Sequence, residues 1–131
     1  MKIGITFSCF DLLHAGHIAM LREAKLSCDH LIVGLQLDPS IERPQKNKPV
    51  QSLVERYMQI EAVRFVDQVI PYNTEQDLLD ILYMIRPDIR FIGDEYKTKE
   101  YTGKNLTPTT HYNKRLHGYS SSELRNRIKG T

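Results

Sequence analysis

Short apolar runs alternate with helix-patterned stretches along this chain, and that alternation constrains the fold more than any other feature. Lys2–Phe7, Leu31–Gln36, Gln68–Pro71, Ile89–Gly93 and Thr109–Asn113 read as strands. Between them, Gln51–Phe65 reads as a helix. So does Glu75–Arg86, with Leu78, Ile81, Leu82 and Ile85 on one face and Pro87 as its stop. Ile18, Leu21, Ala24 and Cys28 form another apolar stripe, and Ser121–Lys129 is the last helix. Strands separated by helices cannot close as hairpins; they pair in parallel through right-handed crossovers. The expectation is an α/β fold, a doubly wound parallel sheet of about five strands. At 131 residues and 40% hydrophobic content the chain fills one core, so residues 1–131 are expected to form one domain.

Composition narrows the function classes. No apolar run approaches the length of a membrane span, and Lys2 leads directly into a strand rather than a signal sequence, so a cytoplasmic protein with no membrane partner is expected. The two cysteines, Cys9 and Cys28, have neither the number nor the spacing of a disulfide framework or a zinc site and read as reduced thiols. Net charge is only +2, but from Tyr96 to Thr131 there are eight Lys or Arg against two acids. Such a basic quarter suits a polyanionic ligand. No nucleic-acid motif with interleaved aromatics accompanies it, so a nucleic-acid partner is not expected.

The segment Phe10-Asp11-Leu12-Leu13-His14-Ala15-Gly16-His17 lies where the first strand hands over to a helix. A helix start has N–H groups without intrahelical acceptors and the positive end of the dipole, so it welcomes phosphate. Residues three apart share a face, which lets His14 and His17 reach one anion, and Gly16 leaves room for close backbone approach. The plainer alternative is two solvated or capping histidines. Asp11 reads as a support of the turn through side-chain-to-backbone bonds. Near the other end, Ser120 and Glu123 have capping-box spacing.

These blocks resemble the nucleotidyltransferase superfamily with the HxGH signature, and within it the cytidylyltransferases, glycerol-3-phosphate cytidylyltransferase above all. Phe10–His17 carries the signature, Gly93-Asp94 ends the fourth strand, and Arg115-Leu116-His117-Gly118-Tyr119-Ser120-Ser121-Ser122 resembles the family's R-x-x-G-x-S-[ST]-[ST] block. The resemblance implies a Rossmann-like, nucleotide-binding domain in which a substrate phosphate attacks the α-phosphorus of CTP. A CDP-alcohol forms and pyrophosphate leaves. It implies catalytic roles for His14, His17, Lys46, Lys48 and Arg115. Nucleotide contacts are implied for Cys9, Phe10, Gly16, Arg56, Asp94, Gly118, Tyr119, Ser120, Ser121 and Ser122. Mg²⁺ would arrive on the triphosphate, since the sequence shows no carboxylate cluster for a dedicated metal site.

Departures from the family are visible too. Cys9 stands where relatives carry threonine, and a thiol donates a hydrogen bond poorly. The resemblance fades over Glu95–Lys104, a segment that could shape a different acceptor pocket, and Arg64 and Tyr72 are further candidates to face the site. Three readings stay open: cytidylyl transfer to a small phosphorylated alcohol, with glycerol 3-phosphate leading; adenylyl transfer from ATP; and a nucleotide-binding regulatory module without turnover. The resemblance also implies a homodimer. The Leu53–Phe65 helix is one candidate interface, although core burial explains its apolar residues equally well.

Overall fold

A computed structural model of the chain describes residues 1–114 and 121–130. Five strands and four helices follow in order: β1 (Ile3–Ser8), α1 (Ala15–Leu26), β2 (His30–Gln36), α2 (Leu53–Glu61), β3 (Gln68–Tyr72), α3 (Glu75–Ile85), β4 (Ile89–Gly93), a 3-10 turn (Asp94–Tyr96), β5 (Thr109–Asn113) and α4 (Ser121–Lys129). The strands form one parallel sheet in the order β3-β2-β1-β4-β5. The expected α/β, Rossmann-like doubly wound sheet is therefore present.

Side-chain alternation along the strands builds two cores. Leu31, Val33, Leu35, Ile89 and Phe91 face Leu21 and Ala24 of α1 and Ile60 of α2. On the opposite face, Ile5, Ile32 and Tyr72 meet Leu78 and Leu82 of α3. Gly34 is required between β1 and β3, because a Cβ there would lie 2.3 Å from Cδ1 of Phe7. That gap lets the Phe7 ring lean edge-on against Tyr72, with centroids 5.6 Å apart.

Helix limits follow from caps. Thr74 accepts from the Asp77 N–H at the start of α3, and the helix ends at Ile85, with Arg86 left-handed (φ 51°) ahead of Pro87. α2 is shorter than the expected Gln51–Phe65. Ser52 and Glu55 form a reciprocal capping box that fixes its start, and after Glu61 the backbone folds into tight turns, Val63 N–H to Ile60 O and Val66 N–H to Val63 O. These turns tuck Val63 and Phe65 against the α1-side core rather than continuing the helix. Cys28 lies beyond the end of α1 and points its Sγ at the Ala24 carbonyl.

The connection from β4 to β5 runs without an α-helix. It is held by Arg90, which is 5% exposed, donates to the Thr102 carbonyl and lies between the Phe7 and Tyr101 rings. Strand order reverses at β1 and β4, and the crevice beyond their C-terminal ends is where doubly wound sheets bind ligands. No helix among the described residues is long and apolar enough to cross a membrane.

Candidate active site

The turn between β1 and α1 opens onto that crevice. Two of its residues, Phe10 (φ 46°) and Leu12 (φ 52°), are left-handed without being glycine, a cost usually tolerated where geometry serves a site. The turn is over-determined by its neighbours. Leu12 N–H donates to Gln51 Oε1 at 2.9 Å, and the Asp11 carboxylate accepts from the N–H groups of Val50 (2.8 Å) and Gln51 (3.0 Å). Arg125 of α4 reaches the same carboxylate at 3.3 Å. Asp11 thus ties the first turn, the loop ahead of α2 and the last helix together.

His14 is the N-cap of α1, and its ring nitrogen does what a serine hydroxyl usually does: Nδ1 accepts from the Gly16 N–H at 3.0 Å. Three residues on, His17 Nδ1 accepts from the His14 N–H at 3.2 Å, closing a capping box made of two histidines. The rings stack with centroids 3.9 Å apart and 27° between planes, and Phe10 packs edge-on against His17 at 5.3 Å. An imidazole whose Nδ1 accepts carries its proton on Nε2, so both rings present Nε2–H groups as donors. Burial, together with the nearby His14 and against the pull of Asp11, lowers the pKa of His17 from 6.5 to about 4. His17 is thereby held neutral, with its Nε2–H as a donor. The two rings can hydrogen-bond phosphate oxygens at neutral pH, alongside the N–H groups of the α1 start.

The lysine-bearing loop runs from the end of β2 to the start of α2 and meets this turn at Val50 and Gln51. Lys46 and Lys48 are exposed, and the Lys48 charge, after the dominant Ser40 hydroxyl, helps hold the Asp38 carboxyl below its ordinary range. The loop is fastened on one side by the Arg43–Glu75 ion pair (2.9 Å) and by Glu42, whose Oε1 accepts from Glu75 N–H. On the other it is fastened by the Asp11 bonds to Val50 and Gln51.

The model of the cytidylyltransferase-like family matches residues 5–127, nearly the whole chain. The chain belongs to the cytidylyltransferase-like family. Among curated relatives it is 37% identical over 131 residues to the bifunctional protein HldE of Helicobacter pylori (strain HPAG1), covering 99% of this chain and 28% of that protein. HldE of Campylobacter jejuni (strain RM1221) is 37% identical over 129 residues, with 98% and 28% covered. The chain therefore spans a little over a quarter of the length of these relatives. Its fold is shared with the lipopolysaccharide core biosynthesis protein of Thermoplasma volcanium (TM-score 0.64, 24% identity, 99% of this chain and 88% of that one).

Within this cytidylyltransferase-like domain, His14, Gly16 and His17 converge at the α1 start, and Asp94 opens the exposed 3-10 turn at the end of β4, on the same edge of the sheet. Two residues expected at the nucleotide are placed elsewhere. Phe10 is 1% exposed and belongs to the α1-side core, so its ring supports His17 instead of meeting ligand. Arg56, also 1% exposed, donates to the carbonyls of Gln51, Cys9, Gln36 and Leu37, at 2.6 to 3.2 Å. Four of its five N–H groups are thus spent on backbone, and its work is to clamp the ends of β1 and β2. Cys9 meets this clamp through its carbonyl, which makes the weak thiol donor irrelevant to that contact.

Tyr72 is 7% exposed in the α3-side core, and Arg64 lies over the Phe65 ring beside α1, so neither faces the β1–β4 crevice as expected. Arg115, Gly118, Tyr119 and Ser120 lie outside the described residues, as does the Ser121 side chain; Ser122 is exposed on the first turn of α4. Arg125 was not singled out from sequence. Its position one turn into a helix that starts at the serine block was the available signal.

Proposed function

We propose that this domain transfers a nucleoside monophosphate from ATP to a phosphorylated sugar, a heptose phosphate in the leading case. The observation that carries the transfer chemistry is the stacked His14–His17 pair at a helix start, with both Nδ1 atoms engaged by backbone so that each ring turns its Nε2 side away from the helix backbone. ATP is preferred over CTP as donor because adenylyl transfer suits the HldE relatives better than cytidylyl transfer to glycerol 3-phosphate does. A cytidylyl transfer is the second reading, favoured by the description of the family itself.

In the proposed reaction an oxygen of the acceptor phosphate bonds to the α-phosphorus, and the bridging bond to the β-phosphate breaks. Pyrophosphate leaves with the electron pair. Both partners are anionic, so positioning and charge neutralisation matter more than a strong base. His14 and His17 donate to the oxygens around the α-phosphorus as charge builds there. Lys46 and Lys48, from their fastened loop, neutralise the approaching acceptor phosphate and the leaving pyrophosphate. Arg115, Gly118, Tyr119 and the serine block complete the triphosphate cradle in this reading. Mg²⁺ belongs to this reading as an ion that would be carried in on the triphosphate, held by hard phosphate oxygens. Bound there, Mg²⁺ supplies further neutralisation of the phosphate oxygens. Two copies are proposed to associate through α2, where Val54 and Met58 are 67% and 65% exposed one turn apart.

The test is pyrophosphate release with Mg²⁺ and each pairing of ATP or CTP with a heptose phosphate or glycerol 3-phosphate. ATP with the heptose phosphate is expected to be turned over fastest. Turnover with CTP and glycerol 3-phosphate alone would move the assignment to the second reading, and tight nucleotide binding with no turnover would point to a sensor.

A further inference from the structure

Asn113 is the last residue of β5, and its register partner is Gly93, the last residue of β4 and the neighbour of Asp94. Side chains two apart on a strand share a face. His111 packs against Phe91 (centroids 5.6 Å) and comes within 3.7 Å of Glu23 on α1, so Asn113 lies on the α1 side of the sheet, at the edge of the crevice that His14 and His17 open from β1. The residue is 7% exposed, and its Oδ1 is buried with no hydrogen-bond partner. Proteins rarely leave such an acceptor unmet, and one at the mouth of a ligand crevice calls for a donor brought by the ligand.

A carbonyl oxygen cannot hold a phosphate, which is itself an acceptor at neutral pH, so the partner is an N–H or an O–H. Two strand spacings, roughly 10 Å, separate β5 from β1. With the α-phosphorus at the imidazoles, that distance reaches past the ribose to the far edge of the base. We propose that Asn113 reads the donor's base, its Oδ1 accepting a hydrogen bond from the exocyclic amine of adenine or cytosine. The inference rests on the nucleotidyl-transfer reading for the nature of the ligand, but not on which acceptor is used. Guanine and uracil place a carbonyl oxygen where these bases carry the amine, so they meet Oδ1 acceptor against acceptor and are disfavoured.

Calorimetric binding of ATP and of purine riboside triphosphate, which lacks only the amine, tests this without any acceptor. The wild-type domain is expected to bind ATP on the order of 10- to 100-fold more tightly, the effect of one well-made hydrogen bond to an otherwise unmet group. Asn113→Leu is expected to bind both at the weaker level, and in turnover to raise KM for the nucleotide with kcat nearly unchanged. Equal binding of the two nucleotides by the wild-type chain, as a contact to a ribose hydroxyl would give, overturns the proposal and needs no variant. So does discrimination that survives in Asn113→Leu. Pyrophosphate release without discrimination sinks the base reading and leaves the transfer reading standing. Discrimination without release does the reverse, and binding of neither nucleotide overturns both.

Discussion

The α1 start asks two things of His17 that a lone exposed histidine meets poorly: staying neutral, and pointing a proton at an anion. Each ring gives its Nδ1 to the backbone of the helix start, and burial first, then the nearby His14, keeps His17 from charging. His14→Ala is expected to slow turnover 100- to 1,000-fold in a pyrophosphate assay. His14→Asn separates the two jobs, because its side chain can still cap Gly16, worth about 1 kcal/mol, yet it lacks the Nε2–H. Both variants should lose activity while only the alanine loses stability in urea. The depressed pKa of His17 also sets a pH limb. As pH falls the unfolded chain takes up the proton first, near 6.5, while the folded ring resists to about 4. Stability is therefore complete above pH 6.5 and drains away toward pH 4, by up to about 3 kcal/mol. Urea midpoints measured from pH 7 to 4 should show this slope in the wild type and a flatter one in His17→Asn. The histidine spacing was legible in the sequence, and capping was the plainer alternative there; the reciprocal box, in which His17 answers the cap His14 makes, was not, because such a box is normally written in Ser, Thr, Asp and Glu.

Elements were read well where periodicity and punctuation agreed. β4, β5 and α4 have the expected limits, and Pro87 stops α3 within a residue of the expected place. α2 was overread, since Val63 and Phe65 continue an apolar pattern that tertiary packing satisfies through turns rather than another helical turn. The same element hid Arg56. A guanidinium on a helix after a lysine-rich loop looks like a phosphate ligand in sequence, and only the meeting of β1, β2 and α2 shows that it lies among backbone carbonyls at the strand ends. Removing a buried cation with four such bonds orphans its acceptors. Arg56→Leu is expected to cost about 3 to 5 kcal/mol in chemical denaturation. Arg56→Lys should recover little, because a single ammonium cannot span four carbonyls set around a planar fork.

At the scale of the whole molecule, order β3-β2-β1-β4-β5 brings residues more than 100 positions apart to one edge of the sheet, as the Arg125–Asp11 pair records. A nucleotide that binds only this assembled edge must stabilise the entire fold. ATP at a hundred times its Kd is expected to add about 2.7 kcal/mol and to raise Tm by on the order of 10 °C, and CTP is expected to raise it less at equal concentration. Thermal scans with each nucleotide check the ranking. The tethers of the lysine-bearing loop set a different kind of limit. Between Arg43, held to Glu75, and Val50, held to Asp11, run only residues 44–49, a span whose crest cannot rise more than about 10 Å from its moorings. Lys46 and Lys48 ride on that short span, so how far their charges can travel is set by side-chain length more than by excursion of the backbone beneath them.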